Sequence, residues 1–413
     1  MISVFALPLV LLVVAAYVLV SRRLERTVFT LPIVFTTLGL VLVAFDVPVL
    51  DQAADEDALE VFAEITLVIL LFGEAARVKW KHLRHVAAIP ARLLLIGMPL
   101  SMLAGMAAVL LVFPDNGWAI ALLTAAILTP TDAALGQAVV NSPDIPERLR
   151  ESIEVESGLN DGLAFPAVVV AANLALTIDQ DFGPPSLMPI DVSGFVAAQL
   201  LLGPLAGAVV AWVAARLLNR SAARDWSRSV SQGIYFLVTA LMAYGIAEAI
   251  GGNGFIAAFV GGIVFGNTLR LSHSFVHEFM DGEGRLLLMA SFVVFGAVLA
   301  PTALPHIGAA TVLAAILFLT VVRMVPVAVS LLGTRLSFRD VLFLGWFGPR
   351  GLASILFVLL VIQATNLEGT DEVVGCIVLT VLFSIVLHGV SAYPVARSFA
   401  KHRANTSVRR DSD

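Results

Sequence analysis

The chain has 413 residues, of which 59% are hydrophobic and only 14% are charged, and its mean hydropathy is +0.94. Soluble domains carry about 25% charged residues, so this composition excludes an ordinary soluble protein and predicts an all-α polytopic membrane protein. The formal net charge of −6 indicates little about partners, and the single cysteine, Cys376, excludes an internal disulfide.

Apolar runs recur thirteen times along the chain, and a membrane crossing needs about 20 apolar residues. The runs lie near 2–20, 30–47, 58–76, 88–113, 118–140, 151–177, 191–215, 229–250, 253–268, 286–303, 307–332, 339–363 and 373–395. The first run has no basic residues before it and is too long for a signal peptide, so we expect it to be retained as a span. We therefore predict thirteen transmembrane helices in one unit, 1–397, followed by a short, basic, disordered cytoplasmic tail, 398–413.

The basic residues support this count of spans. Of the 25 lysines and arginines, 22 lie in alternate connections or in the tail, while the other connections are acidic and contain none. Basic connections stay on the cytoplasmic side of a membrane. The N-terminus is therefore predicted outside and the C-terminus in the cytoplasm, in a cell membrane.

Spans 1–6 and 8–13 start on opposite sides of the membrane, with span 7 as a linker, so they predict two inverted six-helix repeats. Their fifth members are spans 5 and 12, which are interrupted at mid-depth by LTPTDAALG and GWFGPRGLAS. Paired broken helices indicate the substrate site of a transporter. Pro130 and Pro349 remove backbone donors and leave nearby carbonyls free to bind a cation. The alternative is an ordinary proline kink in each helix.

Ionisable residues are costly at the middle of a bilayer, and they usually line a pathway or pair with one another. Six lie near the middle of predicted spans: Glu74, Asp132, Glu156, Asp161, Arg323 and Arg350.

Span 6 offers oxygen ligands for a cation. Ser157 and Asp161 are four residues apart and share one helix face, whereas Glu156 and Asn160 share the adjacent face. A hydroxyl and a carboxylate, together with free backbone carbonyls near Thr131, are ligands for hard cations. The scattered histidines argue against a zinc or copper site.

Charge balance separates the two acids of span 6. We expect Arg323 in span 11 to neutralise Glu156 through a charge-assisted pair, which would leave Asp161, together with Asp132, as the acid without a basic partner. Burial and a neighbouring negative charge both favour protonation of an acid. Such a carboxylate binds either a proton or a metal ion but not easily both, and this competition is the basis of cation/proton exchange.

The remaining mid-span charges each allow two interpretations. Asp132 either supports the ion site or caps a broken helix. Glu74 either lies on the ion path or pairs with Arg77 or Lys79, and Arg350 either neutralises the broken helix ends or contacts the substrate.

Four motifs together resemble the bacterial Na⁺/H⁺ antiporters of the cation:proton antiporter-1 family (NhaP-type). They are TPTDA on span 5, ESGLNDG on span 6, VVRMVPV on span 11 and GWFGPRGLAS on span 12. The resemblance extends over essentially the whole membrane domain. The E-S-x-x-N-D string is the specific signal, and the other motifs support it.

The resemblance implies a homodimer in which a mobile core, spans 4–6 and 11–13, moves against a dimerisation part formed by the remaining spans. It implies that Asp161 carries the ion and the proton, with Ser157 and the Thr131 backbone completing the Na⁺ site and Asp132 supporting it. Asn160 is implied as the neighbour associated with electroneutral exchange. Glu74 falls where the family often has a glutamate near the ion path, although FGEAAR differs from the usual FEGG pattern.

The predicted function is therefore Na⁺/H⁺ antiport by alternating access, contributing to pH homeostasis. K⁺/H⁺ exchange is the main alternative and a passive cation channel is another. We expect no enzymatic activity, no cofactor and no nucleic-acid partner; the expected partners are Na⁺ (or Li⁺ or K⁺), H⁺, membrane lipid and a second copy of the chain. An intramembrane hydrolase is disfavoured because H-E-x-x-H and G-x-S-x-G are absent from the sequence, and an ATP-driven pump because the P-loop string is absent.

Overall fold

The fold is all-helical throughout the part of the chain that the structure, a computed structural model, describes. The described residues are 6–24, 27–47, 56–78, 88–132, 135, 139, 142, 144–178, 192–270, 274–365 and 371–410. Within these ranges there is no β-strand.

The helices follow the apolar runs of the sequence, because a run of about 20 apolar residues satisfies its backbone hydrogen bonds internally only as a helix. The first six are α1 (Ala6–Leu24), α2 (Leu31–Ala44), α3 (Glu56–Arg77), α4 (Ala88–Val112), α5 (Gly117–Leu128) and α6 (Glu147–Ile178). The others are α7 (Val192–Ala223), α8 (Ser229–Ala249), α9 (Gly254–Thr268), α10 (274–303), α11 (Ala309–Ser330), α12 (Phe338–Trp346), α13 (Leu352–Thr365) and α14 (Asp371–Arg410).

Eight of the described helices are long and apolar enough to cross a membrane, and three more are shorter apolar helices. The eight are α1, α4, α6, α7, α8, α10, α11 and α14; the shorter three include α2 and α9 and the apolar part of α13. The chain is therefore a multi-span membrane protein. Each predicted span contains helix, but the number of crossings stays a prediction.

Three helix pairs approach each other through glycine, as expected in a membrane, where helices associate by close packing. A side chain at Gly262 or Gly266 of α9 would meet the main chain of α3. The second pair is α2 and α10, where a side chain at Gly39 or Gly296 would meet the main chain of the facing helix. The third pair is α7 and α9, where a side chain at Gly207 would meet the main chain of α9. These contacts fix α9 against α3 and α10 against α2.

The predicted span 307–332 contains the helix α11, Ala309–Ser330, which is one candidate span in the structure. The helix is interrupted at Thr320, whose φ of −114° and ψ of −90° are not helical. The Thr320 hydroxyl donates to the Ile316 carbonyl at 2.6 Å, and Pro326 has no N–H to donate to Val322. Both features weaken the helix here, so a new helical segment starts just before Arg323.

The prediction of a disordered tail is wrong for residues 398–410. Their backbone continues α14, which runs without interruption from Asp371 to Arg410. The tail contains alanine, lysine and arginine, which have high helix propensity.

Candidate ion-binding site

The two broken helices meet directly. The helix α5 ends at Leu128, and residues 347–351 separate α12 from α13. The backbone N–H of Asp132 donates to the carbonyl of Pro349 at 2.8 Å, and the hydroxyl of Ser354 donates to the carbonyl of Ile127 at 2.7 Å. The two interruptions predicted at Pro130 and Pro349 are thus in contact.

Each break supplies a side chain that caps the helix of the other. Asp132 accepts a hydrogen bond at Oδ2 from the N–H of Leu352, the first residue of α13, at 3.0 Å. Arg350 donates from Nη1 to the carbonyls of Thr129 and Pro130, which follow the C-terminal end of α5. A helix N-terminus carries partial positive charge and a C-terminus partial negative charge. The acid and the base therefore each lie at the helix end that their charge stabilises.

The helix α6 packs against the break that follows α5, and Thr131 makes the contact. The Ser157 hydroxyl donates to the Thr131 carbonyl at 2.5 Å, and Asn160 donates from Nδ2 to the Thr131 hydroxyl at 2.5 Å. All three residues are at least 96% buried. The structure therefore brings together the hydroxyl and the carbonyl that the sequence analysis selected as cation ligands.

Asp161 lies one helical turn beyond Ser157, on the same face of α6. Its Oδ1 atom is buried and has no hydrogen-bond partner among the described residues. A buried polar atom without a partner is rare in folded proteins and requires an explanation.

Two other carboxylates act on Asp161. The carboxyl groups of Glu74 on α3 and of Asp132 lie within electrostatic range of Asp161, and Arg77 lies within range of Glu74. Glu74 is part-buried, and Lys79, the other basic partner predicted for it, lies outside the described residues. Among the described Asp, Glu, His and Cys side chains, no three are placed to bind a metal ion together. The Ser157 hydroxyl, on the same helix face as Asp161, contacts the Thr131 carbonyl.

The predicted partners Glu156 and Arg323 form a buried ion pair. Arg323 donates from Nη1 and Nη2 to the two carboxylate oxygens of Glu156, at 2.6 and 2.9 Å. Their exposed fractions are 3% and 4%. Glu156 is therefore occupied by Arg323, whereas the Oδ1 atom of Asp161 has no hydrogen-bond partner among the described residues.

His388 was not among the site residues predicted from the sequence, in which the histidines are scattered. His388 is buried on α14, with Nε2 2.8 Å from the carbonyl of Trp346, the last residue of α12. Its Nδ1 lies 3.3 Å from the hydroxyl of Ser384, which also accepts the N–H of Arg350 at 2.7 Å. The sequence signal for His388 was a polar side chain within the apolar run of span 13. His388 and Ser384 thus tie α14 to both ends of the second break.

Comparison with known families decides the identity of the chain. The family model described as sodium/hydrogen exchanger, transmembrane, matches residues 9–398, which include both breaks and all the site residues above. The chain belongs to the sodium/hydrogen exchanger family. The predicted resemblance is confirmed.

Among the relatives of this exchanger-family chain is the K(+)/H(+) antiporter NhaP2 of Shewanella sp. (strain ANA-3), 28% identical over 396 residues. The Na(+)/H(+) antiporter ApNhaP of Aphanothece halophytica is 27% identical over 388 residues. The alignments cover 94% and 91% of this chain but 65% and 70% of those proteins. The exchanger-family chain thus spans about two thirds of the length of these relatives.

A solved structure has the same fold. The sodium proton antiporter MjNhaP1 from Methanocaldococcus jannaschii, at pH 8, matches with a TM-score of 0.75. The match covers 93% of this chain and 98% of the other, at 19% sequence identity. At this identity the likeness establishes the fold of the exchanger-family chain.

Proposed function

We propose that the chain is a monovalent cation/proton antiporter that exchanges Na⁺ for H⁺, with Asp161 carrying one ion or the other. The observation that carries the proposal is the buried Asp161 oxygen, which has no hydrogen-bond partner among the described residues. The neighbouring acids are engaged: Glu156 pairs with Arg323, and Asp132 caps α13.

The ligands proposed for the cation are Asp161, the Ser157 hydroxyl and the Thr131 carbonyl. Hydroxyl and carbonyl oxygens that already share one hydrogen bond keep further lone pairs for a cation, and Na⁺ is a hard ion that oxygen ligands suit. Asp132 and Glu74 add negative potential. A proton that binds Asp161 removes the charge that holds the cation, so the two ions compete for one carboxylate.

This competition gives electroneutral exchange of one cation for one proton. Asn160 is neutral and its amide is bound to Thr131, so it adds no second titratable group beside Asp161.

Alternating access is the proposed transport cycle. The core consists of α4–α6 and α11–α14, and it moves against the remaining helices, which also form the homodimer. An inverted repeat makes span 3 equivalent to span 10, and span 2 equivalent to span 9. The contact between α3 and α9 is then equivalent to the contact between α10 and α2. The glycine-mediated contacts described above in both pairs support this relation. The N-terminus is placed outside and the C-terminus in the cytoplasm by the basic connections.

K⁺/H⁺ exchange is the second candidate. It is favoured by the name of the Shewanella relative, a K(+)/H(+) antiporter, whereas the Aphanothece relative is named for Na(+).

Asp161→Asn tests the proposal in proteoliposomes with an imposed Na⁺ or K⁺ gradient. We expect cation-driven proton flux to be abolished, because the amide cannot exchange a proton for a cation. Glu154→Gln is the matched control, since Glu154 is an exposed acid on the same helix, and this variant should retain full flux. Undiminished flux in Asp161→Asn would refute the carrier assignment, and conductance without proton coupling in the unmodified protein would indicate a channel.

A further inference from the structure

We propose that the cavity between the C-terminal ends of α7 and α9 binds the headgroup of an anionic phospholipid. The cavity has a volume of about 800 Å³ and is separate from the ion site. Its polar lining consists of Trp212, Arg216, Asn219, Arg220, Asn267 and Arg270, together with Thr268. A pocket of this size accommodates a ligand much larger than one inorganic ion.

The charge of the cavity selects an anion. Arg216, Arg220 and Arg270 line it, and none of its described lining residues is acidic. The guanidinium carbon of Arg216 lies 4.4 Å from the ring centroid of Trp212, which orients this group. Guanidinium groups bind phosphate oxygens through two parallel hydrogen bonds, so a phosphodiester is the ligand group that fits.

The wall of the cavity is already fixed. Asn219 on α7 donates from Nδ2 to the Thr268 carbonyl at 3.0 Å and accepts at Oδ1 from the Arg270 N–H at 2.9 Å. Asn267 donates to the carbonyl of Val78 at 2.8 Å. The two asparagines therefore hold the end of α9 against α7 and α3, while the three arginines, which are exposed, remain accessible.

A lipid fits better than a soluble phosphate because an apolar stripe leads away from the cavity along α7. The stripe consists of exposed residues four apart: Leu201, Leu205, Val209, Val213 and Leu217. Residues four apart are neighbours on the helix surface, so the stripe is continuous, and Trp212, also exposed, lies where it meets the cavity. Acyl chains along this face place a phosphate among the arginines. A zwitterionic headgroup would add an ammonium beside three guanidinium groups, so an anionic headgroup is favoured.

The test is thermal unfolding of the purified full chain in detergent, titrated with phosphatidylglycerol or phosphatidylcholine. We expect phosphatidylglycerol to raise the melting temperature and phosphatidylcholine to have little effect. Replacing the three arginines together (R216Q/R220Q/R270Q) should weaken the apparent affinity for phosphatidylglycerol by roughly 100-fold. The control R224Q/R228Q/R335Q removes the same charge from exposed arginines outside the cavity and should respond like the unmodified protein.

An equal loss in both triple variants would show only nonspecific attraction to basic residues and would overturn the proposal. Stabilisation by inorganic phosphate at the same concentration would identify a soluble anion as the ligand and overturn it as well. A changed oligomeric state of R216Q/R220Q/R270Q in lipid-free detergent, measured by native mass spectrometry, would identify the surface as a contact with a second copy. Trp212→Ala, with Trp226→Ala as its control, provides a second comparison that preserves charge and should reproduce the weaker affinity.

Discussion

The ion pair of Glu156 and Arg323 gives a sharp test of what stabilises the site and what transports the ion. Glu156→Gln preserves the size of the side chain but removes the charge that compensates Arg323. Among the described residues, Arg323 makes one other hydrogen bond, to the Leu344 carbonyl at 3.4 Å, which is too long to replace the ion pair. Removing one partner of a buried pair costs about 3–5 kcal/mol, because the other charge stays buried and unpaired.

This cost corresponds to a measurable shift in thermal unfolding. The entropy of unfolding is about 2.1 cal/mol/K per residue, and the chain has 413 residues. A loss of about 4 kcal/mol therefore lowers the melting temperature by roughly 5 °C.

The assay is a double-mutant cycle on the purified protein in detergent. Glu156→Gln and Arg323→Gln should each lower the melting temperature by several degrees. The double variant E156Q/R323Q should recover more than half of the loss, because neither charge remains unpaired. In proteoliposomes the double variant should still exchange cations for protons, since Asp161 is unchanged.

Two results would contradict this account. Additive losses in the double variant would mean that the two side chains do not stabilise each other. A Glu156→Gln protein with unchanged melting temperature and no transport would place Glu156 on the ion path.

Two further predictions concern the side chains around the breaks. Asp132→Asn retains an oxygen that accepts from the Leu352 N–H, so the melting temperature should be unchanged. The apparent cation affinity should fall by roughly tenfold, because a negative charge is lost from a low-dielectric site. Unchanged affinity in a flux assay would restrict Asp132 to capping. His388→Ala leaves the Trp346 carbonyl without its donor, so stability should fall by about 1–3 kcal/mol and exchange should slow. His388→Gln keeps a donor for that carbonyl and should recover much of both, whereas equal behaviour of the two variants would show that these hydrogen bonds are unimportant.

The sequence predicted the features that depend on residue type and local spacing. Pro130 and Pro349 indicated both breaks, and the four-residue spacing of Ser157 and Asp161 indicated their common face. Lone buried charges of opposite sign indicated that Glu156 meets Arg323. Each of these follows from the energetics of burying charge or of losing a backbone donor.

The remainder depends on contacts between distant parts of the chain. The capping of α13 by Asp132 joins residues 220 positions apart, and no local pattern specifies such a pair. His388 lacks a neighbouring motif, so its contact with Trp346 required the packing of α14 on α12. The interruption at Thr320 has no local signal, because Thr239 and Thr380 also donate to the carbonyl four residues earlier and their helices continue.

The reciprocal capping of the two broken helices by Asp132 and Arg350 limits how the ion site can move. If the two interruptions separated, the Leu352 N–H would lose its acceptor, and the carbonyls of Thr129 and Pro130 would lose their donor. The hydrocarbon core of the membrane offers no other hydrogen-bond partners. Opening the pair like a hinge is therefore unfavourable. In the proposed alternating-access cycle, the two breaks would therefore move as one unit, and access to the bound ion would change at the boundary with the surrounding helices.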